Sequence, residues 1–305
     1  MHFALPTRNH RSSPFLAASS VPRAYFSRRR PIYALIALVV ILILCFGRSS
    51  GPSRPSDAPD TVLVLLVDRK HHSGEHIERV IENRRTYAEA HGYGLFVKST
   101  SDYPIGPVPS GWSRIPALRH AMSTFPYTST FFFLDSNSII MNPTLSIESH
   151  IMAPERLAKL MRRDVPIVPP DSVIKTYRHV PAERIQFVLT QDKEGLDPSA
   201  MVVKRGQWAS YLLDAWFDPI FRLYGFQKAE RHALEHIVQW HPTILTKLAL
   251  VPQNIMNSFP GTGSSDEGAY EDGDFILNLG NCEAYGRNCE KEWKKWIAKR
   301  AVLDE

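Results

Sequence analysis

The sequence has 305 residues, of which 44% are hydrophobic and 22% are charged, a composition typical of a globular protein with a substantial core. Its net charge of +5 is unevenly placed, because residues 1–30 contain six arginines and no acidic residue, which leaves about −1 for the rest of the chain (5 − 6). The basic residues are therefore concentrated in an N-terminal arm. The positive net charge gives no support for a nucleic-acid-binding domain in the rest of the chain.

An uncharged apolar run, residues 31–47, follows this arm. A helix of that length reaches roughly 26 Å, which suits a thin bilayer, and the arginines directly before it favour an uncleaved signal anchor. The pattern predicts a cytosolic basic tail (1–30), a single transmembrane signal anchor (31–47), a Pro/Ser/Gly-rich stem (48–60) and a lumenal domain (61–305). A buried core helix, a cleaved signal peptide and a mitochondrial presequence before an inner-membrane span are the alternatives.

After residue 60, strand patterns and helix patterns alternate. Continuous apolar runs typical of strands buried on both faces are found at 61–68, 94–99 and 130–134. Helical periodicity connects them at 73–90 and 117–125. Such a βαβ series predicts an α/β fold with a mostly parallel sheet. Further helices are predicted at 153–163, 206–223 and 229–239, and a late strand with a loop at 273–282.

The stretch FFFLDSNSIIMNP, residues 131–143, places Asp135 directly after a buried strand. In open parallel sheets, ligands bind at the carboxyl ends of the strands. Asp135 and Asn137 lie two residues apart among small serines, so both can offer oxygen to one hard cation that carries a phosphate. The alternative is structural, because Asp-Ser-Asn is also good turn chemistry.

Seven stretches in chain order resemble glycosyltransferase family 34, the fungal galactosyl- and mannosyltransferases. LDSNSIIMNP resembles the metal-binding loop of the family. NRRTYAEAHGY resembles its first helix, and WSRIPALRHAM resembles a motif that begins with tryptophan. The others are QDKEGLDPSAMVVKRGQW, LLDAW, VPQNIMNSF and GDFILNLGNC. HALEHIVQWHPTIL resembles the branch that builds the α-1,6-mannan backbone in the Golgi.

The resemblance implies a GT-A fold, Rossmann-like with a mostly parallel sheet, and transfer of mannose from GDP-mannose with retained configuration to a mannan or N-glycan chain. It implies a Golgi enzyme that requires Mn²⁺ and associates with other mannosyltransferase subunits. The implied metal ligands are Asp135, Asn137 and Asn278. The implied donor-binding residues are Arg114, Asp135, Ser136 and Asp197, and the implied catalytic residues are Asp192, Glu230 and His232. Asp192 and Asp197 flank Gly195 in a predicted loop. In an oxidising lumen Cys282 and Cys289 should pair; in a reducing compartment they would be idle thiols or half a metal site.

Three positions depart from the family pattern together. Asn137 stands where the family has a second aspartate, Asn278 where it often has histidine, and residues 230–232 where many members have an acidic/glutamine triplet. These exchanges indicate either a retuned active site or a weakly active partner of an active homologue. The alternatives in function are therefore UDP-galactose α-galactosyl transfer and a non-catalytic subunit. Other open alternatives are zinc binding by His232 and His236, and a surface role for Arg114.

Overall fold

The computed structural model describes residues 30–46, 54–261, 267–280, 282 and 286–303. The chain divides between residues 53 and 54 into two units. Most of the predicted basic tail, and residues 47–53 of the predicted anchor and stem, lie outside the described residues.

In the first unit, residues Arg30–Phe46 form helix α1. Its 17 residues rise about 26 Å, against roughly 30 Å for the hydrocarbon core of a typical bilayer. Among the ranges that the structure describes, none contains a helix long and apolar enough to cross a membrane. The membrane anchor predicted at 31–47 is therefore not shown by the structure.

The second unit is built on a six-stranded sheet with strand order β2-β1-β3-β6-β5-β7. Strand β6 is antiparallel to β3 and β5, whereas the other neighbouring pairs are parallel. This arrangement confirms the α/β fold with a mostly parallel sheet. A small second sheet pairs β4 with β8. The strands are β1 Thr61–Val67, β2 Gly94–Ser99, β3 Thr130–Leu134, β4 Ser138–Ile140, β5 Phe187–Asp192, β6 Gly195–Lys204, β7 Leu248–Val251 and β8 Ile276–Asn278.

The helices of this unit cover both faces of the sheet and differ widely in length. Helix α2 begins at an N-cap, where Ser73 Oγ accepts a hydrogen bond from His76 N, and ends at Gly92 with φ of 66°, a left-handed conformation that favours glycine. The helices are α2 Gly74–His91, α3 Arg114–Thr124, α4 Pro154–Leu160, α5 Gln207–Trp216, α6 Pro219–Leu223, α7 Ala229–Trp240, α8 Pro242–Leu245, α9 Gln253–Met256 and α10 Cys289–Leu303.

Two strands in the middle of the sheet, β1 and β3, are buried on both faces. The four side chains from Phe131 to Leu134 are at most 2% exposed, because helices pack against each face of the sheet. Strand β3 ends at Leu134 and β1 at Val67, so Asp135 and Asp68 follow two parallel neighbours at the same edge.

One predicted helix is divided in the structure. The predicted helix at 206–223 is two helices, because Pro219 begins α6 and Asp218 caps it by accepting a hydrogen bond from Ile220 N. The late strand predicted with a loop at 273–282 is present as β8, Ile276–Asn278. Asp192 and Asp197, expected in a loop, lie on the β5–β6 hairpin, where Asp192 pairs with Gly195 and Thr190 with Asp197.

The structure contains a disulfide between Cys282 and Cys289, the two residues expected to pair in an oxidising compartment. Both cysteines are buried beside Trp293 and the residues of β8. By loop closure a bridge across seven residues stabilises the fold by about 2–3 kcal/mol. It fixes the start of α10 next to the short β4–β8 sheet.

Candidate active site

A cleft of about 660 Å³ opens at the carboxyl ends of β1 and β3. Asp68 follows β1 and Asp135 follows β3, and both line the cleft. Asp197 on β6 and Glu230 at the start of α7 line it as well. The cleft thus occupies the edge of the sheet where an open α/β fold binds its ligand.

Asp135 is held in place mainly through its backbone. Its N–H donates to Ser199 O over 2.8 Å. Its carboxylate accepts long hydrogen bonds from Asn137 N at 3.3 Å, Ser136 Oγ at 3.4 Å and Arg114 Nη2 at 3.4 Å. With 28% of its side chain exposed, the carboxylate remains available to a ligand in the cleft.

Arg114 joins two carboxylates across the cleft. Its Nη2 lies 3.4 Å from Asp135 Oδ2 and 3.3 Å from Glu230 Oε1, and its Nε donates to Gly111 O over 3.0 Å. A side chain at Gly111 would collide with the Glu230 carboxylate, so glycine there allows the close approach. The guanidinium is therefore a cation fixed in the wall of the cleft, and it is suited to bidentate binding of phosphate oxygens.

The residues present fit a divalent cation with few protein ligands. The Asp135 carboxylate is available, and the neighbouring Asn137 Oδ1 is buried without a hydrogen-bond partner. The orientation of the Asn137 amide is set by its Nδ2, which donates to Gly280 O over 3.2 Å. One or two oxygen ligands plus substrate phosphates form the usual site for Mg²⁺-like ions. Among the described residues there is no cluster of three His, Cys, Asp or Glu side chains that could hold a metal, which leaves the His232–His236 zinc alternative without support.

Asn278, the third predicted metal ligand, lies beside this loop but does not line the cleft. It pairs with Ser138 across the β4–β8 sheet. Its Oδ1 accepts a hydrogen bond from Gly280 N over 2.8 Å, and the residue is 7% exposed. Asn278 therefore shapes the turn that Asn137 Nδ2 contacts.

Of the predicted catalytic residues, only Glu230 lines the cleft. Asp192 forms a salt bridge with Arg231 and also accepts a hydrogen bond from Glu194 N over 2.7 Å. His232 faces Glu235, with Nε2 3.9 Å from Oε2, and burial together with Lys228 and Arg231 lowers its pKa. Asp192 and His232 thus pack behind the cleft wall.

Asp197, predicted to contact the donor sugar, lines the cleft and is 7% exposed. Its Oδ1 accepts hydrogen bonds from Ser199 N at 2.9 Å and Ser199 Oγ at 2.5 Å. Its Oδ2 accepts one from Asn257 Nδ2 at 2.6 Å. These three donors keep a buried carboxylate in one orientation.

The comparisons with known proteins agree with this architecture. The model of the galactosyl transferase GMA12/MNN10 family, glycosyltransferase family 34, matches residues 57–290. The chain belongs to this family. It is 33% identical to an uncharacterized α-1,2-galactosyltransferase of Schizosaccharomyces pombe over 84% of this chain and 80% of that protein. It is 31% identical to the probable α-1,6-mannosyltransferase MNN10 of Saccharomyces cerevisiae over 73% of this chain and 60% of that protein.

A solved glycosyltransferase shares the fold of this family 34 chain. It is a glycosyltransferase involved in the glycosylation of the major capsid of PBCV-1, with a TM-score of 0.50 and 14% sequence identity. The match covers 78% of this chain and 100% of that one. The α/β architecture is thus that of a GT-A glycosyltransferase. The chain spans about 60% of the length of MNN10 and of the second yeast mannosyltransferase relative, MNN11.

Some residues of this family 34 cleft were missed by sequence reasoning. Asp68 follows a continuous apolar strand just as Asp135 does, so the same signal was present in the sequence. Burial opposes its charged form, but hydrogen bonds from His71 Nδ1 and Lys70 N lower the pKa of Asp68. Lys228 also lines the cleft and donates to Glu194 O over 3.0 Å; it carried no signal in the sequence.

Behind the cleft, Glu235 gives a pH-dependent prediction. Burial raises the pKa of Glu235 to about 7 from 4.5, so the folded protein holds a proton that the unfolded chain releases between these values. Stability is therefore lost as pH rises through that window. Since one pKa unit corresponds to about 1.4 kcal/mol, Glu235→Gln should raise the free energy of unfolding by about 1–3 kcal/mol at pH 8 and change it little at pH 4.5.

Urea unfolding at both pH values measures this difference. Glu89→Gln serves as the control, because Glu89 is exposed on α2 and should show no pH-dependent change in stability. A destabilised Glu235→Gln variant at pH 8 would mean that the carboxylate is stabilised by Arg231 rather than penalised by burial.

Proposed function

We propose that this chain is a retaining hexosyltransferase that moves mannose from GDP-mannose to a mannan or N-glycan chain in α-1,6 linkage. One observation carries the proposal: Asp135, Asn137 and Arg114 converge at the carboxyl end of β3 and line a cleft large enough for a sugar nucleotide. The similarity to two probable α-1,6-mannosyltransferases of Saccharomyces cerevisiae supports the choice of donor and linkage.

We infer distinct roles for the cleft residues. In the transfer, the bond between the sugar C1 and the diphosphate oxygen breaks, and a bond forms between C1 and the acceptor oxygen. Negative charge develops on the departing nucleotide, whose diphosphate takes up the proton that the acceptor hydroxyl loses. Arg114 lies where it can neutralise that charge, since a preorganised cation acts most strongly in a site from which water is excluded. Asp135 and Asn137 would hold Mn²⁺, which supplies further charge neutralisation at the phosphates when bound.

The two buried acids of the cleft, Asp197 and Glu230, are suited to accepting hydrogen bonds from sugar hydroxyl groups. Asp197 is oriented by Ser199 and Asn257, and Glu230 is held by Arg114 on one side. The start of α7 is anchored by Trp216, whose Nε1 donates to Glu230 O over 2.7 Å. We assign Asp197 to the donor sugar, and Glu230 to the side of the cleft where the acceptor hydroxyl approaches C1.

The proposed location is the Golgi membrane, in a single-pass type II arrangement with the glycosyltransferase unit in the lumen and other mannosyltransferase subunits as partners. The basic arm and the uncharged run at 31–47 support it, and so does the disulfide, which is typical of oxidising compartments. The partners are inferred from the relatedness to MNN10 and MNN11.

Two alternatives have an observation in their favour. UDP-galactose α-galactosyl transfer is favoured by the 33% identity to an α-1,2-galactosyltransferase. A non-catalytic subunit is favoured by Asn137 and Asn278, because amides in place of charged or imidazole ligands weaken a metal site.

The test is sugar release and transfer by the purified full chain, assayed side by side with GDP-mannose and UDP-galactose in the presence of Mn²⁺. The proposal expects turnover of GDP-mannose at least 10-fold above that of UDP-galactose. The reverse preference would assign the galactosyl reaction, and turnover of neither donor would support the non-catalytic subunit.

A further inference from the structure

We propose that Arg84, which lies outside the cleft, is a positioning residue for the cation and diphosphate site, because it holds the backbone of the loop 135–138 from beneath. The inference rests on the proposed function of the cleft. It assigns a role to a side chain that comes from α2, more than 50 residues earlier in the chain.

Arg84 is a fully buried cation, with 0% of its surface exposed. Its Nη2 donates to two backbone carbonyls, Asp135 O at 2.9 Å and Ser138 O at 2.6 Å. In the described part of the chain no carboxylate forms a salt bridge with it. A buried charge needs hydrogen-bond partners to offset its desolvation, and Arg84 finds them in the backbone of the loop that carries Asp135. It is the position of these carbonyls, directly behind the cleft residues, that indicates a positioning role.

The two carbonyls are the ends of the loop that carries Asp135 and Asn137. Arg84 therefore closes this four-residue turn from the core side, and Ser138 N closes it internally by donating to Asp135 O over 3.1 Å. The held backbone sets the position of the Asp135 carboxylate, whose own hydrogen bonds to Asn137, Ser136 and Arg114 are all long.

Asn83, the preceding residue, also binds the backbone of this segment. Its Nδ2 donates to Ile140 O at 3.2 Å, and its Oδ1 accepts from Ile140 N at 3.0 Å, which reproduces the two hydrogen bonds of a strand partner. Arg84 Nη1 donates to Asn83 Oδ1 as well. Two adjacent side chains of α2 thus fix residues 135–140 as a unit.

Lysine at position 84 would keep the positive charge but lose the planar set of N–H donors. The guanidinium presents several donors in one rigid plane, whereas an ammonium is a compact point charge on a flexible stem. Residues that orient metal ligands from behind typically change metal affinity 10- to 100-fold when they are replaced. We expect Arg84→Lys to weaken Mn²⁺-dependent GDP binding by that factor.

Arg205 provides a matched control. Like Arg84, it donates to backbone carbonyls. They number three, those of Met122, Phe125 and Thr128, over 2.5–2.6 Å, and Arg205 is partly buried. It lies at the opposite end of β3, because Lys204 pairs with Thr130 at the start of that strand. Arg205→Lys should therefore lower the melting temperature without changing the affinity for metal or nucleotide.

The experiment measures GDP binding at increasing Mn²⁺ concentration, together with thermal melting, for the full-length wild type, Arg84→Lys and Arg205→Lys. We expect both variants to melt earlier, with loss of Mn²⁺-dependent affinity only in Arg84→Lys. Equal affinities in the two variants would overturn this inference alone. Metal-independent or absent GDP binding by the wild type would overturn both the inference and the proposed function.

A second variant covers the case in which Arg84→Lys does not fold. Arg84→Gln removes the buried charge and leaves a single NH2 group on a shorter side chain, so it is measured in the same way. Its affinity should fall at least as far as that of Arg84→Lys, and unchanged affinity in a folded Arg84→Gln variant would reject the positioning role.

Discussion

Asp135→Ala is expected to abolish Mn²⁺-dependent nucleotide binding and to reduce sugar transfer by at least about 100-fold, as loss of preorganised charge does in other active sites. The fold should be retained, because the carboxylate accepts only long hydrogen bonds, of 3.3–3.4 Å, from Asn137, Ser136 and Arg114, whose loss costs about 1–3 kcal/mol. Arg114 keeps its contact with Glu230 when Asp135 is replaced. Calorimetric titration with GDP and Mn²⁺, paired with a melting curve, separates the two effects.

The converse substitution, Asn137→Asp, is the matched variant for the same loop. It adds a second carboxylate beside Asp135, so Mn²⁺ should bind more tightly by about 10-fold or more, since affinity for hard cations grows with ligand charge. If instead Asp135→Ala melts much earlier and GDP binding does not respond to metal in either variant, Asp135 is only part of a turn.

Arg114→Gln is the second change with a large expected effect. The guanidinium contacts Asp135 and Glu230 at 3.4 and 3.3 Å and is 11% exposed, so it is a cation held in one position in the cleft wall. Loss of such a fixed cation should lower kcat/KM about 10²- to 10³-fold. Steady-state kinetics with the preferred donor measures the loss.

Arg119→Gln provides the control on the same helix. Arg119 pairs with Asp214, and both side chains are about half exposed, so the pair contributes at most about 1 kcal/mol. This variant should keep wild-type kinetics. Equal losses in Arg114→Gln and Arg119→Gln would show that helix α3 matters only for stability.

Part of the fold was predictable because its signals are local. The apolar runs of β1, β2 and β3 identified the parallel part of the sheet, and the acid after β3 identified the cleft. The break between α5 and α6 also had a local signal in Asp218-Pro219, since aspartate caps helices and proline suits their first turn. The disulfide partners could be named because two cysteines lie outside the apolar run.

The rest depended on contacts between distant residues. Asp192 and Asp197 flank Gly195, which suggested a loop. In the structure both lie on the β5–β6 hairpin, where Arg231 pairs with Asp192 and Asn257, 60 residues away, donates to Asp197. Arg84 resembled an ordinary charged residue on a helix surface. Its burial became evident only when α2 was placed against the loop after β3.

The most direct test of the account is a crystal structure of the protein grown with Mn²⁺ and GDP. The account predicts an anomalous scattering peak for manganese in direct contact with the Asp135 carboxylate and Asn137 Oδ1, with the diphosphate between the metal and Arg114. A nucleotide bound away from this cleft, or bound there with no metal at Asp135, would contradict it.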